Sequence, residues 1–331
     1  MRFYKLLILF AFTFLVAGNV SAQIEGDDPI SVDSSIVRLN IGVVDKSGNP
    51  IKNLSKQDFT LYEDGVEQNI LTFEPTARPF SLALILDMSG STISFRQNIR
   101  MSALRFIDAL APEDRVAVIE FYDKVNLLND FTSDRRKIAH SIDVANGRGE
   151  TRLYEAVELA LNKLKNETNR RRAIIVLTDG KDTAQERSDR QFLSNLKVEE
   201  LSNAIDTEKS QRLNNVLDKA SDMGVTIYPL ALPSGDPKKL ADPLPIQYEI
   251  YSAARNRLDL MAKRTGGILN SINSLEEMGR LYAQVAADVR SLYTIEYEPQ
   301  NTKRDGKWRE IKIEVNQPEV ISRTRPGYFA R

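Results

Sequence analysis

The chain has 331 residues, of which 42% are hydrophobic and 27% charged, a composition typical of folded globular proteins and long enough for two domains. Its 45 basic and 46 acidic residues give a formal net charge of -1, which argues against a protein whose main task is to bind nucleic acid. Because the chain has no cysteine and one histidine, disulfides, thiolate metal sites, a cysteine nucleophile and multi-histidine metal centres are excluded.

The N-terminus has the features of a secretory signal peptide, which we assign to residues 1–22. Arg2 and Lys5 precede an apolar run over residues 6–18, shorter than the roughly 20 residues that span a membrane. A small-x-small pattern ends at Ala22, as at a signal-peptidase site. We therefore expect cleavage near Ala22, export to the periplasm or the medium, and no transmembrane segment in the mature chain; retention as a membrane anchor is the alternative.

The next segment, residues 23–80, shows the alternation of half-buried strands. Apolar residues occupy every second position from Val37 to Val43, and two further strands are predicted near residues 59–62 and 69–73. Asp64-Gly65 between these two suits the positive backbone angles of a hairpin turn.

Residues 81–291 alternate continuous apolar runs with amphipathic helical patterns. The runs predict four buried strands, at residues 81–86, 116–121, 173–177 and 225–230. This order predicts an α/β fold, a Rossmann-like, doubly wound and mainly parallel sheet with helices on both faces. Ligands of such sheets bind at the carboxyl ends of the strands.

Strand alternation returns in residues 292–331. Two strands are predicted at residues 293–297 and 311–315, with Asp305-Gly306 in the connection between them. Too few strands occur at either end of the chain to be stable alone. We therefore expect residues 23–80 and 292–331 to form one discontinuous all-β domain, a sheet or sandwich built from both chain ends.

Five oxygen-bearing side chains are predicted to meet at the carboxyl edge of the parallel sheet. They are Asp87, Ser89, Ser91, Thr151 and Asp179. The first three follow a buried strand at every second position, so they could face one point. Hydroxyl and carboxylate oxygens suit Mg²⁺, Ca²⁺ or Mn²⁺ rather than zinc or copper. With only two carboxylates in the set, such a cation would keep an open position for a carboxylate from elsewhere.

This constellation resembles the metal-ion-dependent adhesion site of von Willebrand factor type A (VWA) domains, over about residues 81–291. The motif Asp87-x-Ser89-x-Ser91 is joined by a separate Thr151 and by Thr178-Asp179-Gly180. The resemblance implies that the hydroxyls of the two serines and of Thr151 contact the metal directly. The two aspartates would supply charge and water-mediated contacts, and a partner protein would supply a Glu or Asp carboxylate.

The flanking segments resemble those of bacterial exported proteins of this class. They contain Glu63-Asp64-Gly65 before the domain and Arg325-Pro326-Gly327-Tyr328 after it. Two stretches depart from a minimal domain, residues 184–209 and residues 233–245. Because both follow strands at their carboxyl ends, they could shape or cover the metal face.

These features predict a non-enzymatic, exported adhesion or interaction module that recognises an acidic residue of a partner protein through a divalent cation. One alternative is a structural scaffold of the cell envelope whose β domain does the binding. Another is a phosphoryl-transfer hydrolase, because Asp87 ends the first strand of a parallel sheet as in haloacid-dehalogenase-like phosphatases. Those enzymes usually carry a second Asp two residues on, where this chain has Ser89. We assign no catalytic residue and expect no nucleic-acid partner.

Overall fold

The computed structural model describes residues 36–331 except residues 77, 109, 169 and 273–276, so the predicted signal peptide lies outside the described residues. The strands are β1 (Val37–Asp45), β2 (Phe59–Glu63), β3 (Val66–Gln68), β4 (Ile70–Glu74), β5 (Phe80–Asp87), β6 (Arg115–Phe121), β7 (Val125–Thr132), β8 (Arg171–Thr178), β9 (Thr226–Ala231), β10 (Asn270–Ser271), β11 (Tyr293–Tyr297), β12 (Trp308–Val315), β13 (Val320–Arg323) and β14 (Gly327–Phe329). The helices are α1 (Arg96–Asp108), α2 (Arg135–Val144), α3 (Leu153–Leu164), α4 (Thr183–Leu193), α5 (Gln211–Asp222), α6 (Pro245–Thr265) and α7 (Glu277–Ser291). Within the described ranges, no helix is long and apolar enough to cross a membrane.

The central sheet has six strands in the order β10-β9-β8-β5-β6-β7. All neighbours pair in parallel except β6 and β7, which are antiparallel. The four predicted apolar strands are β5, β6, β8 and β9, and every residue of β5 is buried because layers cover both of its faces. Leu86 pairs with Leu177 in the β5–β8 ladder, so these two strands end side by side. The predicted mainly parallel sheet is confirmed.

Helices cover both faces of this sheet. Apolar side chains of α1, α2 and α7 pack on one face, around Phe106, Ile142 and Tyr282. Those of α3, α5 and α6 pack on the other, around Leu161 and Leu217. The fold is therefore doubly wound, as predicted. Helix α4 lies outside these two layers and packs its buried Leu193 with Ile250 of α6 in a small separate cluster.

The two chain ends form a pair of four-stranded sheets, each of which mixes strands from both ends. One sheet has the order β13-β1-β11-β4 and the other β14-β12-β2-β3. Strand β1 pairs antiparallel with β11, with Val37 opposite Tyr297, and β2 pairs with β12. Apolar side chains from both sheets share one core, which includes Leu39, Leu61 and Ile295. The discontinuous all-β region is confirmed, whereas its exact boundaries at residues 80–81 and 291–292 stay a prediction.

Some local expectations differ from the structure. Asp64-Gly65 does make a hairpin, but it joins β2 to the short β3, and the chain then crosses to the other sheet as β4. Five strands had no counterpart in the predicted pattern: β3, β7, β10, β13 and β14. The charged insert contains short 3₁₀ turns at Val198–Glu200 and Thr207–Lys209, which separate α4 from α5.

Buried arginines join the all-β region to the α/β region. The Arg325 guanidinium is buried and donates to the Ser221 carbonyl and hydroxyl on α5. Arg323 pairs with Asp288 of α7 at 2.6 Å. The carboxyl edge of the central sheet, where β5, β8 and β9 end, holds the predicted metal site.

Candidate metal centre

Asp87 ends β5 and is fully buried. Its Oδ1 accepts hydrogen bonds from the Ser89 backbone N–H, at 3.0 Å, and from the Ser89 hydroxyl, at 2.5 Å. Its Oδ2 accepts from the Thr178 hydroxyl at the end of β8, at 2.7 Å. The carboxylate therefore ties together the ends of two adjacent parallel strands.

The loop after Asp87 brings two serine hydroxyls to the same place. The Ser89 and Ser91 Oγ atoms lie 3.2 Å apart. The buried Thr92 hydroxyl holds this turn closed, because it donates to the Asp87 carbonyl at 2.8 Å and to the Ser89 carbonyl at 3.1 Å. Extended backbone at Ser89 followed by a 3₁₀ turn thus aims both hydroxyls at the end of β5.

Thr151 comes from a separate loop that is bonded to both neighbouring segments of the edge. The Gly90 N–H donates to the Gly149 carbonyl at 3.1 Å. The Thr151 N–H donates to the Thr183 hydroxyl at 2.8 Å, and the Thr183 N–H returns a bond to the Thr151 carbonyl at 2.9 Å. Gly149 has a φ of +92°, and a Cβ there would lie 2.2 Å from an oxygen of Asp123, so this position requires glycine.

Asp179 follows β8 directly and is almost completely buried. Its Oδ1 accepts a hydrogen bond from the Lys181 backbone N–H at 3.1 Å. Its Oδ2 is buried and has no hydrogen-bond partner among the described residues; the Lys181 ammonium lies 3.9 Å away. A buried carboxylate oxygen without a donor is costly, because it has lost its water and gained nothing in return.

The two carboxylates also repel each other. Burial, together with the negative charge of Asp179, raises the pKa of Asp87 to about 7, although hydrogen bonds from Ser89 and Thr178 act in the opposite direction. Two buried acids at one edge are a negative centre that a cation would stabilise.

The donor set fits a hard divalent cation. Over residues 36–331, apart from the undescribed gaps, no group of three or more His, Cys, Asp or Glu side chains could hold a metal, so any cation here would rely on hydroxyls as well as on two carboxylates. The Ser89 hydroxyl bonds both Asp87 and Ser91, and the charge of Asp179 acts on Asp87. The loop that carries Thr151 is held beside them by the Gly90–Gly149 bond. Oxygen-only sets of this kind suit Mg²⁺, Ca²⁺ or Mn²⁺.

Sequence reasoning missed several residues that hold this edge. The Thr178 role could have been inferred, because Thr178 ends a strand beside the strand of Asp87. The Ser234 hydroxyl, which donates to the Ser91 carbonyl at 2.5 Å, lies 143 positions away and gave no local signal. Arg96 donates to the carbonyls of Met88 and Gly147, and so joins the two loops from the side.

Residues 82–181 match the model of a family described as the von Willebrand factor type A domain. This matched segment is similar to a VWA domain. All five residues of the predicted metal site fall within the matched segment. Domains of this family generally mediate protein–protein interactions rather than catalysis.

Three known proteins illustrate the range of similarity. An uncharacterised protein of Synechocystis sp. is 31% identical over 108 residues, which are 31% of this chain and 26% of that protein, so the match spans about a quarter of the relative. The vWF domain of the type V pili tip protein Mfa5 from Porphyromonas gingivalis is 15% identical, with a TM-score of 0.48, 64% of this chain and 95% of that one covered. A von Willebrand factor type A structure from Catenulispora acidiphila is 11% identical, with a TM-score of 0.49, 91% of this chain and 64% of that one covered. Neither structural likeness bears on what this protein binds.

Proposed function

We propose that this protein is an exported interaction module whose VWA domain binds one divalent cation and, through it, an acidic residue of a partner protein. Ser89, Ser91 and Thr151 would hold the cation directly, with Asp87 and Asp179 supplying charge and water-mediated contacts. Mg²⁺ is our first choice, with Ca²⁺ and Mn²⁺ as alternatives. The observation that carries the proposal is the buried, unpartnered Oδ2 of Asp179 beside a second buried carboxylate.

Electrostatics favour a cation at this place. Removing a carboxylate from water without a partner costs several kcal/mol, and a neighbouring like charge adds to that cost. Lys181 compensates only in part, because its ammonium is 3.9 Å from Asp179 and stays partly exposed. A bound dication would supply the missing positive charge for both aspartates.

The same charge balance explains why an acidic partner would bind. Two carboxylates roughly neutralise a dication, and the hydroxyl ligands add no charge. A carboxylate from the partner could replace a water and make a charge-assisted contact. Without the cation, that carboxylate would face Asp87 and Asp179, and like charges would repel it. Partner binding should therefore depend on the metal.

Calorimetric titration with Mg²⁺ and Mn²⁺ tests the metal site. We expect about one cation per chain for the wild-type protein and at least a hundredfold weaker binding for Asp179→Asn, since the buried charge is then gone. The matched control is Asp206→Asn, because Asp206 is an exposed aspartate that caps a 3₁₀ turn outside the site. Equal affinity in Asp179→Asn and wild type would refute the assignment.

Partner capture tests the interaction. Immobilised mature protein should retain a partner from envelope extract in Mg²⁺ and release it in EDTA, and Thr151→Ala should retain less of it while keeping its fold. Retention that is indifferent to EDTA would refute the metal-bridged contact. Mass spectrometry of the protein from its native cells tests export, since cleavage near Ala22 leaves a chain that begins close to Gln23.

A scaffold role for the all-β region is the second candidate. Leu71 on β4 and Ile321 on β13 are exposed, and these strands are the two edges of one sheet. If the sheet edges did the binding, Asp179→Asn would capture the partner as well as wild type does. Substituting Leu71 and Ile321 by Ser would then abolish the capture.

A further inference from the structure

Two adjoining cavities lie beside the metal edge. The first, of about 280 Å³, begins at Lys181 and Gly235 and extends to Asp236 and Tyr251. The second, of about 680 Å³, shares Asp236 and Tyr251 with the first. The two cavities adjoin, and the ammonium of Lys181, which lines the first, lies 3.9 Å from Asp179, so together they make a groove next to the candidate metal centre. We name it the insert groove, since the segments around residues 198–203 and 235–252 line most of it.

Large apolar side chains are exposed along this groove. Val198 is 64% exposed, Leu244 58%, Leu240 49% and Tyr248 42%. Val198 and Tyr248 line the second cavity and Leu240 lines the first, whereas Leu244 lies between two prolines that line the second. A cluster of exposed apolar groups in a concave surface is typical of an interaction site.

Buried polar contacts hold the groove in shape without a ligand. The buried Glu249 carboxylate of α6 accepts from the backbone N–H groups of Asn203 and Ile205, both at 2.9 Å, and so fixes the insert. Arg257 of α6 makes a buried two-bond ion pair with Asp189 of α4, at 2.6 and 2.8 Å. A preformed surface loses less entropy on binding than a flexible one does.

The charges along the groove suit an acidic ligand. Lys181 and Lys239 line the first cavity and Lys238 lines the second. The acidic groups that line them already have partners within the protein. Glu186 pairs with Arg190, and Asp236 accepts from a backbone N–H of its 3₁₀ turn.

The groove is also bonded to the metal edge. Arg255, which lines the second cavity, donates to the Leu232 carbonyl just after β9 and to the Tyr251 hydroxyl. The Leu232 N–H donates to the Thr178 carbonyl at 2.9 Å, next to Asp179. Ser234 at the start of the same loop bonds the Ser91 carbonyl. A ligand at the metal and a ligand in the groove would therefore contact one continuous surface.

From this surface we infer that one extended segment of the partner protein occupies both places. Its acidic residue lies at the metal centre, and an aromatic or large aliphatic residue at a fixed distance along the segment fills the insert groove against Tyr248 and Val198. This inference rests on the proposed function and adds the second half of the recognition signal.

Selection from a peptide library tests the inference. Random twelve-residue peptides displayed on phage are selected on the immobilised mature protein in Mg²⁺ and eluted with EDTA. We expect the eluted peptides to share an acidic residue and an aromatic or large aliphatic residue at a constant offset from it. A parallel selection on the double variant Tyr248→Ser, Val198→Ser should keep the acidic residue and lose the apolar one.

The other outcomes of the selection distinguish a failure of the groove inference from a failure of the proposed function. Enrichment of acidic residues without an apolar partner, or an apolar preference that persists in the double variant, would overturn the groove and leave the metal-dependent function intact. If EDTA elutes no enriched sequence, the proposed function fails, and the groove inference fails with it.

The affinity of one selected peptide makes the test quantitative. In fluorescence anisotropy with Mg²⁺, the double variant should bind a synthetic copy of the most enriched peptide about tenfold to a hundredfold more weakly than wild type, the effect of losing one buried apolar contact. Met101→Ser on α1 is the matched control, since it removes an exposed apolar side chain from a helix that packs on the opposite face of the central sheet from α6. Mg²⁺ titration should give the same affinity for all three proteins. Equal peptide affinity for the double variant and the control would refute the groove.

Discussion

Two buried carboxylates, one in the all-β region and one at the metal edge, have opposite surroundings. Glu63 on β2 is buried between the two sheets, and its Oε2 accepts from the hydroxyls of Tyr297, at 2.6 Å, and Tyr328, at 3.0 Å. Asp179 is equally buried, yet its Oδ2 has no donor. Glu63 therefore has hydrogen-bond donors within the protein, whereas one oxygen of Asp179 has none among the described residues.

The difference indicates which polar group serves the fold and which serves binding. Glu63 bonds strands from both chain ends, because Tyr297 is on β11 and Tyr328 on β14. Burial raises the pKa of both tyrosines, so their hydroxyls stay protonated and remain donors. The Asp179 Oδ2 atom accepts no hydrogen bond from the described residues, and a buried polar atom that costs stability without return is a candidate for function.

Removing residues 294–331 should have the largest effect. The deletion takes away β12 to β14 and nearly all of β11, which pairs with both β1 and β4. The apolar faces of the N-terminal strands would then be exposed, and we expect aggregation in size-exclusion chromatography and rapid proteolysis of residues 36–74. A truncated protein that stays monomeric and equally resistant would mean that the two ends are independent modules.

Glu63→Ala should destabilise the fold by about 2–4 kcal/mol, because two tyrosine hydroxyls lose their acceptor in a buried place. Urea unfolding measures the change, and Glu67→Ala on the neighbouring β3 is the control, since Glu67 is exposed. Mg²⁺ affinity should be unchanged. If Glu63→Ala weakened metal binding as much as it weakened the fold, the two regions would not be separate in function.

Periodicity explains how much of the fold the sequence could predict. The continuous apolar runs that became β5, β6, β8 and β9 are a strong signal, because they are too short for helices and have the composition of strands covered on both faces. Strand β7 was missed, since its first four residues are only partly buried and its apolar residues do not alternate. Strands β13 and β14 have four and three residues, too few to carry a period.

The sequence could predict which residues form the candidate site, but not all of the hydrogen bonds that they make. Strand ends in a parallel sheet must meet at one edge, so Asp87 and Asp179 could be expected near each other. The hydrogen-bond partner of each Oδ2 atom could not be predicted, because it depends on the direction of the side chains. The Thr178 hydroxyl donates to Asp87 Oδ2, whereas no donor among the described residues bonds Asp179 Oδ2. The cluster of Glu63 with its tyrosines was missed for the same reason, as its members are over 230 residues apart.

A smaller effect should appear in the pH dependence of the metal-free protein. The pKa of Asp87 is about 7 in the fold and 3.8 as its reference value in the unfolded chain, so the folded state binds this proton more tightly. The group therefore lowers stability at high pH, and stability returns as the pH falls from 7 towards 4. In EDTA, the free energy of unfolding of wild type should rise relative to that of Asp87→Asn by on the order of 1 kcal/mol per pH unit in this range.

Urea unfolding of the two proteins at pH 7 and pH 5 in EDTA measures this relative change. The comparison with Asp87→Asn is needed because the protonation of other carboxylates also changes the stability of the protein in this pH range. If the difference in the free energy of unfolding between the two proteins did not change with pH, Asp87 would have an ordinary pKa. The two aspartates would then not repel each other strongly.

Thermal unfolding with and without Mg²⁺ tests most directly whether the unpartnered carboxylate serves a cation. A ligand that binds only the folded state raises the melting temperature, and the rise grows with its concentration. We predict that 5 mM Mg²⁺ raises the melting temperature of wild type and of Glu63→Gln equally. This concentration nearly fills a site whose dissociation constant is about 0.5 mM. Asp179→Asn should show no rise. A rise in Asp179→Asn as large as in wild type, or no rise in any of the three proteins, would contradict the account.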